Sequence, residues 1–243
     1  MGFIAAVYGL VCYAVFLASF LYAIGFVGNL VVPKTIDSHP GASVPEALVV
    51  NLLLLGLFAV QHSVMARPGF KAAWTRVVPR SVERSTYVLI SSLLLALLFW
   101  KWQAIPAVVW NASSPVVQAF AMALFALGWL VVLLSTFMIN HFDLFGLRQV
   151  YLRLRGLEYT SPNFTTRALY GFVRRPIMLG FLIAFWATPH MTVGHLLFSI
   201  ATTGYILVGI MLEERDLVRF IGPEYEAYRR KVPMLIPTGN RRD

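Results

Sequence analysis

The chain has 243 residues, of which 58% are hydrophobic and only 13% are charged. Soluble domains carry about 25% charged residues, so this composition excludes a largely water-exposed surface and indicates that lipid solvates much of the chain. The formal net charge of +9 would suit a nucleic-acid-binding protein, but the basic residues lie between apolar segments, as membrane topology requires. The single cysteine, Cys12, excludes an intrachain disulfide, and no Cys/His spacing is typical of a zinc site.

Apolar segments recur along the chain in runs long enough to cross a bilayer, which takes about 20 helical residues. In chain order, four such runs cover 3–32, 44–66, 86–100 and 116–139. A polar stretch follows, and then come the apolar runs 177–188 and 191–212. The first of these two has 12 residues and is too short to span alone. The pair therefore predicts a helical hairpin made of a short or re-entrant arm and a full span.

These segments predict an all-α integral membrane protein with five to six transmembrane helices, the last pair forming a helical hairpin. We expect a single membrane-embedded domain over 1–243, with a cytoplasmic tail at 213–243 that contains a short C-terminal helix. Of the 20 lysines and arginines, 18 lie in 67–84, in 140–175 or in this tail. Because cytoplasmic loops carry the excess of basic residues, this bias predicts a multi-pass protein of the cell membrane with both termini in the cytoplasm.

Polar and ionisable residues gather at the predicted cytoplasmic ends of the helices. They are Gln61, His62, Asn140, His141, Asp143, Arg174, Arg175, Glu213 and Glu214. Ionisable groups at membrane depth are costly and tend to mark function, whereas the structural alternative is that snorkelling side chains anchor the helix ends. A one-sided collection of acids, histidine and paired arginines favours a functional site.

The residue types in this collection suit a particular kind of ligand. Paired arginines bind a carboxylate or phosphate in bidentate fashion, and a glutamate accepts hydrogen bonds from the vicinal hydroxyls of a ribose. Together they suit a zwitterionic nucleoside cofactor such as S-adenosylmethionine. The sequence has no glycine-rich phosphate loop, which excludes a soluble nucleotide-binding α/β domain. The residues alone therefore predict a cytoplasm-facing membrane site for a polar cofactor.

Two C-terminal segments resemble the isoprenylcysteine carboxyl methyltransferase superfamily. Residues 170–180 read Tyr-Gly-Phe-Val-Arg-Arg-Pro-Ile-Met-Leu-Gly and resemble its Y-x-x-x-R-H-P-x-Y-x-G segment. Residues 213–237 resemble its E-E-x-x-L…G-x-x-Y-x-x-Y…V-P…P ending. The segments 61–67, 83–87 and 140–149 extend the resemblance to the nurim-like branch. Within that branch the chain looks very like the bacterial methanethiol S-methyltransferases.

This resemblance implies methylation of methanethiol to dimethyl sulfide at the cytoplasmic face, with S-adenosylmethionine as methyl donor. It implies cofactor contacts at Tyr170, Arg174, Pro176 and Glu213. Among these, we expect Arg174 to meet the methionine carboxylate and Glu213 to accept from the ribose hydroxyls. Arg175 stands where the superfamily usually has histidine, so we include it as a contact that reaches the cofactor in a different way.

The implied reaction calls for a proton acceptor. The thiolate is the nucleophile, and a simple alkyl thiol should be no more acidic than cysteine, whose pKa is about 8.5, so a base is useful. His141 has the fitting pKa range, and we predict that it takes the thiol proton while Asp143 orients it or acts itself. His62 is the second candidate base. The structural alternative is that His141 and Asp143 cap the fourth helix and order the following loop.

Other functions stay open at the level of sequence. One is methylation of a different lipophilic thiol or carboxylate, such as a prenylcysteine, and another is a non-catalytic nurim-like membrane protein. A transporter is less well supported, because no inverted repeat or mid-membrane charge is present. For a small volatile thiol, we expect entry through the lipid bilayer and selection by size against apolar walls. No nucleic acid and no metal ion is expected as a partner.

Overall fold

The structure is a computed structural model that describes residues 2–38, 41–161 and 166–237. The helices are α1 (Gly2–Gly28), α2 (Val44–Ala66), α3 (Pro68–Trp74), α4 (Arg80–Lys101), α5 (Pro115–Ile139), α6 (His141–Leu144), α7 (Leu147–Leu154), α8 (Leu169–Phe172), α9 (Pro176–Trp186), α10 (Val193–Ile221) and α11 (Pro223–Lys231). Two short strands, β1 (Val108–Asn111) and β2 (His190–Thr192), pair with each other. The last part of the predicted tail, 238–243, lies outside the described residues.

Proline and residues with positive φ set several helix boundaries. Proline is the first residue of α3, α5, α9 and α11, where its missing N–H is not needed and its fixed φ suits the helix. Asn29, with a φ of 52°, follows α1 directly, and Gly222, with a φ of 71°, separates α10 from α11. A residue with positive φ is typical of a helix end. The chain therefore carries local signals that apolar runs alone do not reveal.

Five helices, namely α1, α2, α4, α5 and α10, are long and apolar enough to cross a membrane, so the chain is a multi-pass membrane protein. The all-α fold class is confirmed, and several helices do not begin or end where the apolar runs do. α1 ends at Gly28 and not at 32, α4 begins at Arg80 and not at 86, and α10 continues to Ile221 and not to 212. Arginine, glutamate and leucine are good helix formers, so α4 and α10 extend beyond their apolar runs. Glu213 and Glu214 consequently lie within α10.

The described chain divides into two compact units, each assembled from three segments. Unit 1 consists of Met1–Ala107, Asn140–Pro162 and Thr192–His195. Unit 2 consists of Val108–Ile139, Asn163–Met191 and Leu196–Asp243. Because the segments of the two units alternate along the chain, the sequence offers no single boundary between them. The single domain over 1–243 stays a prediction.

Unit 1 is built around α1 and α4. α1 packs against α4 and α7, and α2 packs against α4. The contact with α7 depends on Gly9, because a Cβ at this position would lie 2.6 Å from Cγ2 of Val150. Near the start of α4 lies a buried core of Met65, Tyr87 and Val88, against which pack Phe16, Phe70, Trp74, Ile90 and Phe145. This aromatic cluster brings α1, α2 and α4 together with the segment that follows α5.

Unit 2 is built around the pairing of α5 and α9, which approach each other at glycine. A Cβ at Gly128 would lie 2.6 Å from the backbone nitrogen of Ala184, and one at Gly180 would lie 2.7 Å from the carbonyl oxygen of Gly128. Small residues at such crossings let two backbones approach in a membrane, where packing replaces the hydrophobic effect as the main attraction between helices. The close contact therefore depends on both glycines.

Gly180→Ala is expected to destabilise the protein by about 1–3 kcal/mol, because the added methyl group meets rigid backbone and forces α5 and α9 apart. Gly209→Ala is the matched control, since a Cβ at Gly209 meets nothing within 4 Å. In a helix interior, alanine is favoured over glycine by about 1 kcal/mol, so the control should be neutral or stabilised. Thermal unfolding of the two variants in detergent measures the difference. Equal midpoints would contradict the close approach.

The strand pairing in unit 2 shows where the short helix α9 ends. The backbone nitrogen of Ala112 donates to the carbonyl oxygen of Pro189 at 2.8 Å, and Nε1 of Trp110 donates to that of Thr188 at 3.2 Å. β1 directly precedes α5, and these partners directly follow α9. The end of α9 therefore lies at the level at which α5 begins.

The start of α9 lies beside the last third of α5. α9 has 11 residues and α5 has 25, so at 1.5 Å per residue α9 is about 20 Å shorter. Gly180, one turn into α9, lies against Val132, and the hydroxyl of Tyr170 lies 3.5 Å from the carbonyl oxygen of Ser135. The link between α8 and α9 is therefore at the depth of the last turns of α5.

Candidate functional site

The link between α8 and α9 carries the paired arginines and is fixed by its backbone. The N–H of Arg174 donates to the carbonyl oxygen of Pro233 at 2.9 Å, and that of Arg175 donates to the carbonyl oxygen of Met234 at 3.1 Å. Pro176 then begins α9 and is buried. Two adjacent arginine side chains thus start from a rigid backbone, and both form ion pairs with α10.

Arg174 forms a buried ion pair with Glu214. Its Nε and Nη2 lie 2.9 and 2.8 Å from Oε1 of Glu214, and the two side chains are only 8% and 14% exposed. Its Nη1 donates to the carbonyl oxygens of Arg229 and Val232 at 3.0 and 2.5 Å. A guanidinium has five N–H donors, and these contacts use four of them. Arg174 therefore joins the start of α9 to α10 and the end of α11, with little capacity left for a ligand.

Arg175 forms a second and more open ion pair. Its Nη1 lies 2.7 Å from Oε2 of Glu213, whose side chain is 52% exposed, and its Nη2 is 3.5 Å from the hydroxyl of Tyr225. Its Nε is buried and has no hydrogen-bond partner among the described residues. A buried donor without an acceptor costs about 1–3 kcal/mol. A carboxylate ligand would satisfy this donor, so Arg175 and Glu213 fit the carboxylate and hydroxyl groups of a cofactor such as S-adenosylmethionine.

Three tyrosines surround these ion pairs and hold α11 in place. The hydroxyl of Tyr225 donates to Oε1 of Glu214 at 3.2 Å, and that of Tyr228 donates to the carbonyl oxygen of Tyr170 at 2.6 Å. Burial raises the pKa of Tyr170 and Tyr225 above the ordinary value, and it raises the pKa of Tyr228 to about 12. All three are therefore neutral hydrogen-bond donors at physiological pH. Tyr170, predicted as a cofactor contact, is itself buried in this packing.

The predicted cofactor residues are brought together in unit 2, with three additions. Tyr170, Arg174, Arg175, Pro176 and Glu213 all belong to this unit. Sequence reasoning placed Glu214 in the polar collection without giving it a role, and it did not include Tyr225 and Tyr228 as site residues. The signal was present, because the paired glutamates and the Y-x-x-Y spacing are part of the C-terminal motif. What the motif did not show is which glutamate pairs with which arginine.

An open cleft of about 320 Å³ borders the buried ion pair. It is lined by Met211, Glu214, Arg215, Val218 and Arg229. Its walls combine the apolar face of α10 with charged groups of α10 and α11. In the described part of the chain, no group of three or more His, Cys, Asp or Glu side chains is arranged to hold a metal ion.

His141 lies in unit 1, in the short helix that follows α5. Its side chain is 5% exposed, and its Nε2 lies 2.8 Å from the hydroxyl of Tyr13. Burial lowers the pKa of His141 below the ordinary value of 6.5. The imidazole is therefore neutral at pH 7, which is the form that accepts a proton.

Asp143, predicted as the partner of His141, holds the junction of α6 and α7. Its Oδ1 lies 3.0 Å from Nη1 of Arg148, and its Oδ2 accepts from the hydroxyl of Tyr159 at 3.2 Å. Its backbone N–H donates to Oδ1 of Asn140 at 3.1 Å, which makes Asn140 the N-cap of α6. These contacts correspond to the loop-ordering role that the sequence left open for Asp143.

His62, the second candidate base, belongs to a polar cluster between α2 and α4 in unit 1. The hydroxyl of Tyr87 lies 2.9 Å from its Nε2, and Oγ of Ser91 lies 3.2 Å from its Nδ1. Ser91 also donates to Oε1 of Gln61 at 3.2 Å. His62 thus joins α2 to α4.

The fold and these contacts define a class: a multi-pass α-helical membrane protein with paired Arg–Glu contacts between its final helices. The family described as NnrU protein matches residues 50–232. The chain belongs to this family, in the nurim-like branch that contains bacterial methanethiol S-methyltransferases. No solved structure matches the chain.

Similar proteins cover nearly the whole chain. A methanethiol S-methyltransferase of Mycobacterium tuberculosis is 59% identical over 98% of this chain and 98% of its own length. Methanethiol S-methyltransferase 2 of Bradyrhizobium diazoefficiens is 56% identical over 95% of this chain and 88% of its own. Nurim of Rattus norvegicus is 31% identical over 72% of this chain and 70% of its own. The recognition of the branch from its motifs is confirmed.

Proposed function

We propose that the protein methylates methanethiol to dimethyl sulfide, with S-adenosylmethionine as methyl donor, at the cytoplasmic face of the cell membrane. The observation that carries this proposal is the 59% identity, over 98% of both chains, to a protein named methanethiol S-methyltransferase. The arrangement in unit 2 supports the choice of donor, because a half-exposed glutamate and an arginine with an unused donor lie side by side.

In this proposal the cofactor is held by Arg175 and Glu213. The unused Nε of Arg175 binds the methionine carboxylate, and Glu213 accepts from the ribose hydroxyls. Arg174, Tyr170 and Pro176 act by fixing the backbone and α10 around them. The sequence assigned the carboxylate to Arg174, but the contacts of Arg174 with Glu214 and two carbonyl oxygens favour its neighbour.

The residues of unit 1 are proposed to take up the proton of the thiol and release it. When bound, S-adenosylmethionine supplies an electrophilic methyl group on a sulfonium. His141, neutral at pH 7, takes the proton of the thiol, so the sulfur attacks as thiolate. Asp143 keeps α6 in place through Arg148 and does not itself receive the proton. The proton later leaves His141 to solvent, and the neutral imidazole is restored.

The proposed function is tested with the purified protein in detergent or proteoliposomes. Methyl-labelled S-adenosylmethionine is supplied with methanethiol, longer alkyl thiols and a prenylcysteine, and the products are identified by mass spectrometry. We expect labelled dimethyl sulfide and a declining rate as the thiol lengthens. Selective methylation of the prenylcysteine would establish the alternative substrate. Cofactor binding without methylation of any acceptor, or no binding at all, would refute the proposed reaction.

The proposed orientation has a direct test in intact cells. A cysteine substituted for Ser114 should react with a membrane-impermeant maleimide, whereas one substituted for Arg76 or Glu158 should be protected until the cells are opened. These three positions lie in exposed loops, and the native Cys12 is fully buried, so it should add little background. The reason for the expected pattern is the excess of lysine and arginine in the loops at 67–84 and 140–175. Labelling at Arg76 in intact cells would reverse the orientation.

A further inference from the structure

A hydrogen bond joins α1 to the candidate base. The hydroxyl of Tyr13 lies 2.8 Å from Nε2 of His141, although the two residues are 128 positions apart in the sequence. Their rings meet edge to face, with centroids 5.8 Å apart and planes at 82°. Because Tyr13 lies in the middle of α1, this contact is independent of the cap that begins α6. It fixes the imidazole against a membrane-spanning helix.

Aromatic rings pack around this hydrogen bond. The ring of Phe145 lies 4.8 Å from that of His141 and 6.5 Å from that of Tyr13, between centroids. Phe16 stacks on Phe145 at 3.8 Å. Hydrogen bonds are stronger in such a low-dielectric environment than in water. The hydrogen bond to Tyr13 therefore helps to set the orientation of the His141 ring within a largely aromatic surrounding.

Two charged side chains near α6 have named partners other than the His141 ring. Asp143, on α6 itself, is paired with Arg148 of α7 and accepts from Tyr159. Arg84 of α4 donates through Nε to the carbonyl oxygen of Leu144 at 2.8 Å. Tyr13 is the polar group that α1 presents to the imidazole.

We propose that Tyr13 is a positioning residue for His141, holding Nε2 so that the imidazole keeps one orientation in both its neutral and its protonated form. This inference rests on the proposed function, in which His141 receives the thiol proton. A phenol both donates and accepts. It can accept from Nε2–H in both the neutral ring and the imidazolium, and the proton of the thiol is then taken at Nδ1. Hydrogen bonds to a charged donor are about twice as strong as neutral ones, so Tyr13 favours proton uptake by His141.

Tyr13→Phe tests this role, because it removes the hydroxyl and keeps the ring. We expect kcat to fall at least tenfold, the KM for S-adenosylmethionine to stay unchanged, and the acid limb of the pH–rate profile to move to lower pH. Tyr8→Phe is the matched control: Tyr8 also lies on α1, and its hydroxyl bonds to Oγ1 of Thr86 at 3.0 Å. This control should keep the wild-type pH profile. Tyr13→Phe with wild-type kcat, or with a loss of stability and rate matched by Tyr8→Phe, would overturn the inference.

A spectroscopic measurement separates this inference from the proposed reaction. Protein labelled with ¹⁵N-histidine is titrated in detergent micelles, and the His141 resonances are assigned by their loss in His141→Gln. Tyr13→Phe should change the His141 tautomer signal and lower its pKa, whereas Tyr8→Phe should leave both unchanged. If wild-type protein forms no dimethyl sulfide, the proposed function fails while this coupling still holds. If the reaction occurs but Tyr13→Phe leaves the His141 signals unchanged, the positioning role is refuted. It is also refuted if His141→Gln has the turnover of the wild-type protein.

Discussion

Arg174→Met is expected to lower the free energy of unfolding by about 3–5 kcal/mol, the typical effect of removing one partner from a buried ion pair. The substitution leaves the carboxylate of Glu214 buried at 14% exposure and removes the donors of two carbonyl oxygens. Arg175→Met is the matched control, since its partner Glu213 is 52% exposed. Exposed pairs contribute only about 0–1 kcal/mol. Thermal unfolding in detergent without cofactor should therefore show a larger loss of stability for Arg174→Met than for Arg175→Met.

When cofactor binding is measured, the order should reverse, so that a substitution of Arg175 has a larger effect than a substitution of Arg174. Losing one charged partner of a ligand typically costs about 2–5 kcal/mol, so Arg175→Met should weaken binding of S-adenosylmethionine at least tenfold in calorimetric titration. Glu213→Gln should do the same, because an amide accepts less well from the ribose hydroxyls. Arg174→Lys, which keeps the charge opposite Glu214, should bind the cofactor with nearly wild-type affinity once folded.

Two results would contradict this division of roles. If Arg174→Lys weakens cofactor binding while Arg175→Met does not, the methionine carboxylate belongs to Arg174, as the motif alone indicated. If Arg174→Met is as stable as Arg175→Met, the buried pair is not the stabilising contact. Should Arg174→Met fail to fold, the double variant with Glu214→Gln removes both charges together. Removal of the pair should be less damaging than removal of one partner, so part of the stability should return.

Apolar runs predicted the number and class of the long helices well, because lipid requires every backbone polar group to be satisfied within a helix. They did not predict the helix ends. α10 continues nine residues past the end of the apolar run at 212, to Ile221, because the end of an apolar run marks where lipid contact stops and not where helical hydrogen bonding stops. The stop signal was Gly222, whose φ of 71° favours glycine.

The site was predictable as a set of residues but not as a set of contacts. Neighbouring residues of a helix point about 100° apart, so Glu213 and Glu214 face different surroundings, one half-exposed and one buried. Which of them pairs with Arg174 depends on the placement of α11 and of the segment after it, where Pro233 and Met234 accept from the backbone of the two arginines. In the same way, the partner of His141 lies on α1, far away in the sequence, where no local pattern points to it. Both contacts, that of Arg174 with its glutamate and that of His141 with α1, are set by tertiary packing.

His141→Gln is expected to lower turnover at least a hundredfold at neutral pH, since a positioned base contributes about 10²–10⁴ in rate. Glutamine keeps much of the side-chain volume in this buried position and has no basic nitrogen. Asn140→Ala is the matched control, because it removes the N-cap of α6 and should cost about 1 kcal/mol of stability with little effect on rate. Rates are compared at saturating thiol and S-adenosylmethionine.

The dependence of these effects on pH separates proton transfer from folding. Solvent supplies more thiolate as the pH rises toward the pKa of the thiol, which is no lower than the value of about 8.5 for cysteine, so the catalytic loss of His141→Gln should shrink at high pH. The free energy of unfolding should instead change at acidic pH. Burial lowers the folded-state pKa of His141, so below about pH 6.5 the unfolded chain binds a proton that the folded protein resists, and stability falls as the pH falls. His141→Gln should lose less stability than wild type over that acidic range. A turnover of His141→Gln within threefold of wild type at neutral pH would contradict the proposal that His141 is the base. A loss of turnover that persists at every pH would show that His141 shapes the site instead.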